Sequence, residues 1–308
     1  MGSTSLLRNV KDTVKNLDRR VGKRIFRHNS GFRGEASSRL FRLLARSRGE
    51  EIDIGEHLEP EVDHLRSQQF SSLECVYPTS LIQGIRKRFD GILESKEDVF
   101  EIRHGDEVYS RRIASPGQGP KSFEFSNRFP EVESLVNEKV RKLVQGYYNS
   151  PFTVESLMVY RNYPVPEAVI KDTEVLSDRW HCDGRSPDVL KLFVALHDVE
   201  KEHGPLHFIP RDPTRDILSD GFVRSKSGVK DGVVRQKADP RLLTGPAGVG
   251  VLVNTNLLLH RAGVPDEGKT RDLVQIQFTP SSEPLPEGWL SEANLNLEKA
   301  AGRWEAVL

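Results

Sequence analysis

The second half of the chain limits the fold more than any other feature. From about residue 150, short runs rich in β-branched and aromatic residues follow one another: FTVESLMVYRNY (152–163), VLKLFVALHDV (189–199), LHFIP (206–210), GVGVLVNTNLLLH (248–260) and RDLVQIQFTP (271–280). GP, PRDP, GPAG and PDEGK punctuate them, which is the chemistry of turns. Parallel strands need long crossovers, usually helical, and no helical period falls between these runs. An antiparallel barrel or double sheet is therefore expected, with the polar stretch at about 211–240 as a long loop.

The first half reads differently. TSLIQGIRKRFDGILES (79–95) places Leu81, Ile85, Phe89 and Leu93 four apart, the spacing of one helix face. EVESLVNEKVRKLVQGYY (131–148) reads as a second helix, with Val132, Leu135, Val140 and Leu143 on one side. SSLECVYP (71–78) is a strand candidate, and the acidic stretch before it is a connection into the main domain. The expected organisation is an N-terminal arm over 1–50 and one domain over 51–308, mainly β with flanking α-helices, its core at about 150–280.

Charge separates the arm from the rest. Lys and Arg number 45 against 45 Asp and Glu, so no global field draws the chain to nucleic acid or to an acidic surface. Residues 1–50, however, hold 13 Lys and Arg and 4 Asp and Glu. Leu7, Val10, Val14, Leu17 and Val21 recur there at helical spacing among the basic residues. This is either an anchor for an anionic membrane surface or partner protein, or a solvated helix packing its stripe on the domain behind it. The chain has two cysteines, Cys75 and Cys182, and no apolar run long enough for a signal peptide or membrane span. A disulfide framework is not expected, and a reducing cytoplasm is the expected location, with membrane-peripheral contact through the arm as the variation.

Within RWHCDGRS (179–186), strand alternation would point His181 and Asp183 to one face and Cys182 to the other. A lone His-x-Asp is weak evidence of a metal. His260 strengthens it, because it ends an apolar strand pair just before a Gly turn. Two imidazoles and a carboxylate can occupy one face of an octahedral ion such as Fe(II), leaving three positions open, and zinc could use the same donors. Arg271 starts the strand after the turn GVPDEGKT, where a hairpin would carry it back beside the metal strand. A buried guanidinium there needs an anion, and a dicarboxylate cosubstrate chelating the metal would present its far carboxylate to it.

These segments, in this order, resemble the phytanoyl-CoA dioxygenase family of Fe(II)- and 2-oxoglutarate-dependent oxygenases over about residues 65–280. WHCDG is similar to the family's His-x-Asp strand, LKLFVALHDVEKEHGPLHFIPRDP to its central run, GVGVLVNTNLLLHRAG to the strand of the distal His, and TRDLVQIQF to the cosubstrate Arg strand. The resemblance implies a double-stranded β-helix core, the jelly roll of cupin-like proteins. It implies Fe(II) on His181, Asp183 and His260, with 2-oxoglutarate as cosubstrate held by Arg271, Phe193 lining its pocket, and O2 consumed. A small-molecule substrate would be hydroxylated with release of succinate and CO2. The chain departs from the pattern at IPRDP, where Ile-Pro-Gly-Ser-His is usual, and at Ala262, where a Ser often assists the cosubstrate. Asp183, standing where a halogenase has Gly or Ala, argues against halogenation. The competing readings are a jelly-roll isomerase or hydrolase with another metal, and a non-catalytic docking protein using the basic arm.

Other polar residues carry blander readings. His203 and His207 are separated by Gly204 and Pro205, which break any helix that would align them. His197 and Asp198 mark a strand end, and Trp180 is a packing residue beside the pocket. The 95–125 segment and the 211–240 loop would build the substrate pocket. Arg211, Arg215, Arg224, Lys226, Lys230 and Arg235 in that loop are numerous enough to meet an anionic substrate, although solvated loop charge is the favoured explanation of them.

Overall fold

A computed structural model describes residues 52, 54–116, 118–183, 189–220, 229–281 and 284–291. The basic arm expected over 1–50 lies outside the described residues, as do Arg224, Lys226 and the side chain of Lys230.

Among the described residues, ten strands form two sheets. They are β1 (Phe70–Leu73), β2 (Phe100–His104), β3 (Glu107–Ala114), β4 (Phe152–Asn162), β5 (Leu190–Ala195), β6 (Leu206–Phe208), β7 (Arg241–Leu242), β8 (Gly250–Val253), β9 (His260–Ala262) and β10 (Arg271–Pro280). The large sheet runs β1-β8-β5-β10-β4-β3-β2 and the small one β7-β6-β9. His181 joins the small sheet by an antiparallel bridge to His260. From β4 onward the chain passes back and forth between sheets: β4 large, His181 small, β5 large, β6 and β7 small, β8 large, β9 small, β10 large. Every pairing is antiparallel, and the expected double-stranded β-helix results.

Alternation divides the large sheet into two faces. Leu190, Leu192 and Val194 of β5 and Val274, Ile276 and Phe278 of β10 point outward. Helices α1 (Glu59–Gln68), α2 (Thr79–Ser95) and α3 (Glu138–Tyr148) cover that face with Val62, Leu65, Ile82, Ile85, Phe89, Val140 and Leu143. Phe193, Ala195, Val251, Val253 and Leu273 point inward and meet Leu206 and Phe208 of the small sheet. The site lies between the sheets, on this inner side.

The structure corrects several sequence expectations. The helix expected over 131–148 is split into a 3-10 segment, Pro130–Leu135, and α3. Asn137 stands between them in extended geometry, its side chain accepting from the Val140 N–H, so the side chain caps α3 rather than continuing a helix. SSLECVYP is a strand only to Leu73, since Cys75 has a positive φ of 54°. After α4 (Glu167–Asp172), the supposed loop at 211–240 contains α5 (Arg211–Ser219) and α6 (Val229–Lys237). Ile217 and Val234 from these helices pack with Trp180, Ile209 and Leu259 on the outer side of the small sheet. The 95–125 segment contributes the β2–β3 hairpin, which widens the large sheet beyond β4.

Candidate active site

The backbone brings the candidate ligands together. His181 and His260 exchange both main-chain hydrogen bonds, at 3.0 and 2.9 Å, so their rings leave the ladder side by side with centroids 4.3 Å apart. The Asp183 N–H donates to the Thr255 carbonyl at 2.9 Å, which holds the carboxylate on the same side. One donor atom from each of His181, Asp183 and His260 lies within 4.8 Å of the others. Cys182, between two of them, instead packs with the Trp180 cluster, and burial pushes its thiol pKa up.

Each imidazole is held in the tautomer a metal requires. His181 Nδ1 lies 2.7 Å from the Arg179 carbonyl and His260 Nδ1 lies 3.2 Å from that of Leu258. A carbonyl only accepts, so Nδ1 carries a hydrogen on each ring, which leaves Nε2 as the atom that can face a metal. The Nε2 atoms lie 3.5 and 3.7 Å from Asp183 Oδ1. Burial, against the pull of the Asp183 charge, pushes the His260 pKa down to about 3, which keeps it a neutral donor. Burial alone would raise the Asp183 pKa, but the Lys191 ammonium, His260 and His181 outweigh it and hold the carboxyl well below its usual range. Its Oδ2 receives the Lys191 ammonium at 2.6 Å and the Thr255 hydroxyl at 2.5 Å.

A second feature lies farther along the inner face of the large sheet. Arg271, 1% exposed, starts β10. Its connection from β9 crosses between sheets instead of forming the expected hairpin, yet Nη1 still reaches back to the Gly263 carbonyl at 3.1 Å. Its Nε has no hydrogen-bond partner. Arg112 of β3 is in register with Tyr160 of β4, its guanidinium 5.4 Å from that ring and its Nε donating to Ser110 Oγ at 2.9 Å. Burial lowers the pKa of both arginines and raises that of Tyr160, and Arg112 lowers Arg271 further by like-charge repulsion. Neither guanidinium has a carboxylate partner among the described residues. Two such charges with a buried unsatisfied N–H could hold an anion. Phe193 points to the same interior, in register with Gln275 and Val251.

Sequence reasoning missed Arg112, Tyr160, Lys191 and Thr255. It also left His203 and His207 outside the site, where the structure keeps them. His207 faces away from the centre and accepts from Arg261 Nε at 3.0 Å. His203 forms a capping box with Glu200, which accounts for the partly exposed grouping of Glu200, Glu202 and His203 without a metal.

No protein-family model matches the chain, and no curated protein matches it. Solved structures do. The non-haem alpha-ketoglutarate-dependent epimerase SnoN from nogalamycin biosynthesis aligns over 73% of this chain and 83% of its own, at 15% identity and a TM-score of 0.53. EctD from S. alaskensis aligns over 77% and 84%, at 12% identity and a TM-score of 0.53. The carbocyclase SnoK, also described as alpha-ketoglutarate dependent, aligns over 75% and 87%, at 15% identity and a TM-score of 0.50. At such identities the likeness speaks to architecture, and the chain shares the double-stranded β-helix fold of these structures.

Proposed function

We propose that the protein is an Fe(II)- and 2-oxoglutarate-dependent oxygenase that hydroxylates a small-molecule substrate. The observation that carries this reading is the pairing of two features in the interior between the sheets: a His, His, carboxylate donor set, and the buried Arg271 beside the half-buried Arg112, neither with an acid partner among the described residues. The donor set suits a ferrous ion with open positions, and the orphaned Nε of Arg271 suits the far carboxylate of a dicarboxylate cosubstrate. Fe-bound EctD and EctD with 2-oxoglutarate and 5-hydroxyectoine give the analogy at the level of fold. The motif order similar to the phytanoyl-CoA dioxygenase family points the same way.

When bound, iron and 2-oxoglutarate supply oxidative decarboxylation to succinate and CO2, with O2 as the oxidant. The chain's own residues do the positioning. His181 and His260 offer Nε2 lone pairs, and their Nδ1–H bonds to carbonyls fix the ring planes. Asp183 offers Oδ1. Arg271 fixes one end of the cosubstrate by paired, charge-assisted hydrogen bonds, and Arg112 and Tyr160 line the same end. Phe193, Val251, Val253 and Leu273 keep the interior apolar and exclude water around the reacting groups.

The test is an anaerobic titration of purified protein with Fe(II) and 2-oxoglutarate, followed by a substrate screen that reports succinate. The expected result is a metal-to-ligand charge-transfer band that His181→Ala and Asp183→Ala abolish. Undiminished succinate formation by His181→Ala would sink the assignment. Because SnoN is described as an epimerase and SnoK as a carbocyclase, product mass separates the outcomes. Gain of one oxygen supports hydroxylation, whereas loss of two hydrogens or no mass change replaces it.

A further inference from the structure

A carboxylate has two oxygens, and the number that reach a metal decides how many coordination positions remain. In Asp183 the two are already divided. Oδ1 faces the His181 and His260 Nε2 atoms, while Oδ2 turns away and is taken by Lys191 and Thr255.

Lys191 is out of keeping with its place. It sits in β5 between Leu190 and Leu192, with Val253 and Gln277 beside it in register, and is 8% exposed. Its one acidic partner among the described residues is Asp183. Burying an ammonium costs several kcal/mol unless it is paired, and a neutral donor such as Thr255 already orients the same oxygen. A cation there needs a further reason. We infer that Lys191 is a positioning residue that locks Asp183 into one-oxygen coordination, thereby holding open the third free position on the ferrous ion.

The inference rests on the oxygenase reading. An octahedral ion bound by two imidazole nitrogens and one carboxylate oxygen keeps three positions, enough for a chelating 2-oxo acid and for dioxygen. A chelating Asp183 would leave two, and cosubstrate and O2 would then compete. The ammonium makes chelation costly, because Oδ2 must give up a charge-assisted hydrogen bond and leave a buried cation unpaired before it can turn to the metal. The same charge opposes the incoming dication, so the lock weakens iron binding while it keeps coordination open.

Two substitutions test this in the full-length protein. Lys191→Met keeps the stem and removes the charge, and Thr255→Val removes the second donor without changing charge or shape. Fe(II) affinity is read by chelator competition, 2-oxoglutarate affinity by the charge-transfer band, and carboxylate denticity by X-ray absorption of the iron-loaded protein. Lys191→Met is expected to bind Fe(II) about tenfold tighter and 2-oxoglutarate about tenfold more weakly, with Asp183 now chelating. Thr255→Val should move both in the same directions by smaller factors, which separates a freed oxygen from a lost charge. Unchanged denticity, or Fe(II) binding that is equal or weaker in the variants, overturns the lock. If Lys191→Met does not fold, Thr255→Val alone decides by the same criteria. A wild-type protein that gives no charge-transfer band fails the oxygenase reading instead, whatever the variants do.

Discussion

Arg161, partly buried, and Arg271, fully buried, lie on neighbouring strands of one sheet and point to opposite faces. Arg161, on β4, makes a two-bond pair with Asp272 of β10 at 2.7 and 2.6 Å, and a further bond to Asp90 of α2 at 2.6 Å. Its partner Asp272 is wholly buried and also donates its N–H to His197 Nε2. Those carboxylates, led by the Asp272 hydrogen bonds, push the Arg161 pKa up. Arg271, adjacent to Asp272 in sequence, has one carbonyl for a partner and a pKa lowered by burial. The first arginine is complete within the protein and ties α2 to the sheet. The second is incomplete, and incompleteness in a buried cation marks a place for something that the chain does not itself supply.

Substitutions should separate the two roles. Arg161→Met leaves Asp272 charged, buried and unpaired, and should cost about 3–5 kcal/mol of stability, read as a lower melting temperature, while 2-oxoglutarate affinity is retained in what folds. Arg271→Met should do the reverse. It removes a buried like-charge neighbour of Arg112, so melting should hold or rise, while 2-oxoglutarate affinity falls about a hundredfold, the value of two charge-assisted hydrogen bonds. If both variants melt alike, the contrast between a structural and a receptive arginine is wrong. Arg112→Gln should weaken 2-oxoglutarate about tenfold and leave 2-oxobutyrate, which lacks the far carboxylate, unaffected. Equal losses for both acids would place Arg112 outside the anion end.

A third arginine sharpens the comparison at the smallest scale. Arg261 stacks on Trp180 at 4.9 Å and donates Nε to His207, a neutral acceptor. Burial, with Arg261, Arg271 and Arg235, pushes the His207 pKa down to about 4. The unfolded chain therefore takes up this proton first as pH falls. The stability from neutral His207 is complete above its ordinary pKa of about 6.5 and is lost as pH drops towards 4. His207→Gln should flatten the melting-temperature profile across that window, and an unchanged slope would remove His207 from the account.

How much of this was legible in the sequence depended on burial pattern. His181 and Asp183 could be paired because alternation in an extended segment puts residues two apart on one face, and His260 and Arg271 stood at the ends of apolar runs where polar residues attract notice. Arg112 lies in EVYSRRIA beside Arg111, and nothing in that string tells which of the two turns inward. Only the register with Tyr160 does. Lys191 interrupts an apolar run in the manner of a strand-edge residue, and its partner Asp183 is revealed by the chain's return. Helices α5 and α6 escaped detection because their sequences show no clear apolar period; among their described side chains the buried apolar ones are Ile217 and Val234. Their stability comes from the cluster they complete.

The bridge between His181 and His260 bears on when the centre comes into being. The two residues stand roughly eighty positions apart, and contacts of such separation close late in folding. A partly folded chain whose small sheet is still open holds at most one imidazole near Asp183, so an ion needing both can engage only after that closure. Ferrous iron would then act as a latch on the finished protein, slowing unfolding far more than it hastens folding, and the loaded form would owe its durability to a slow exit from the native state.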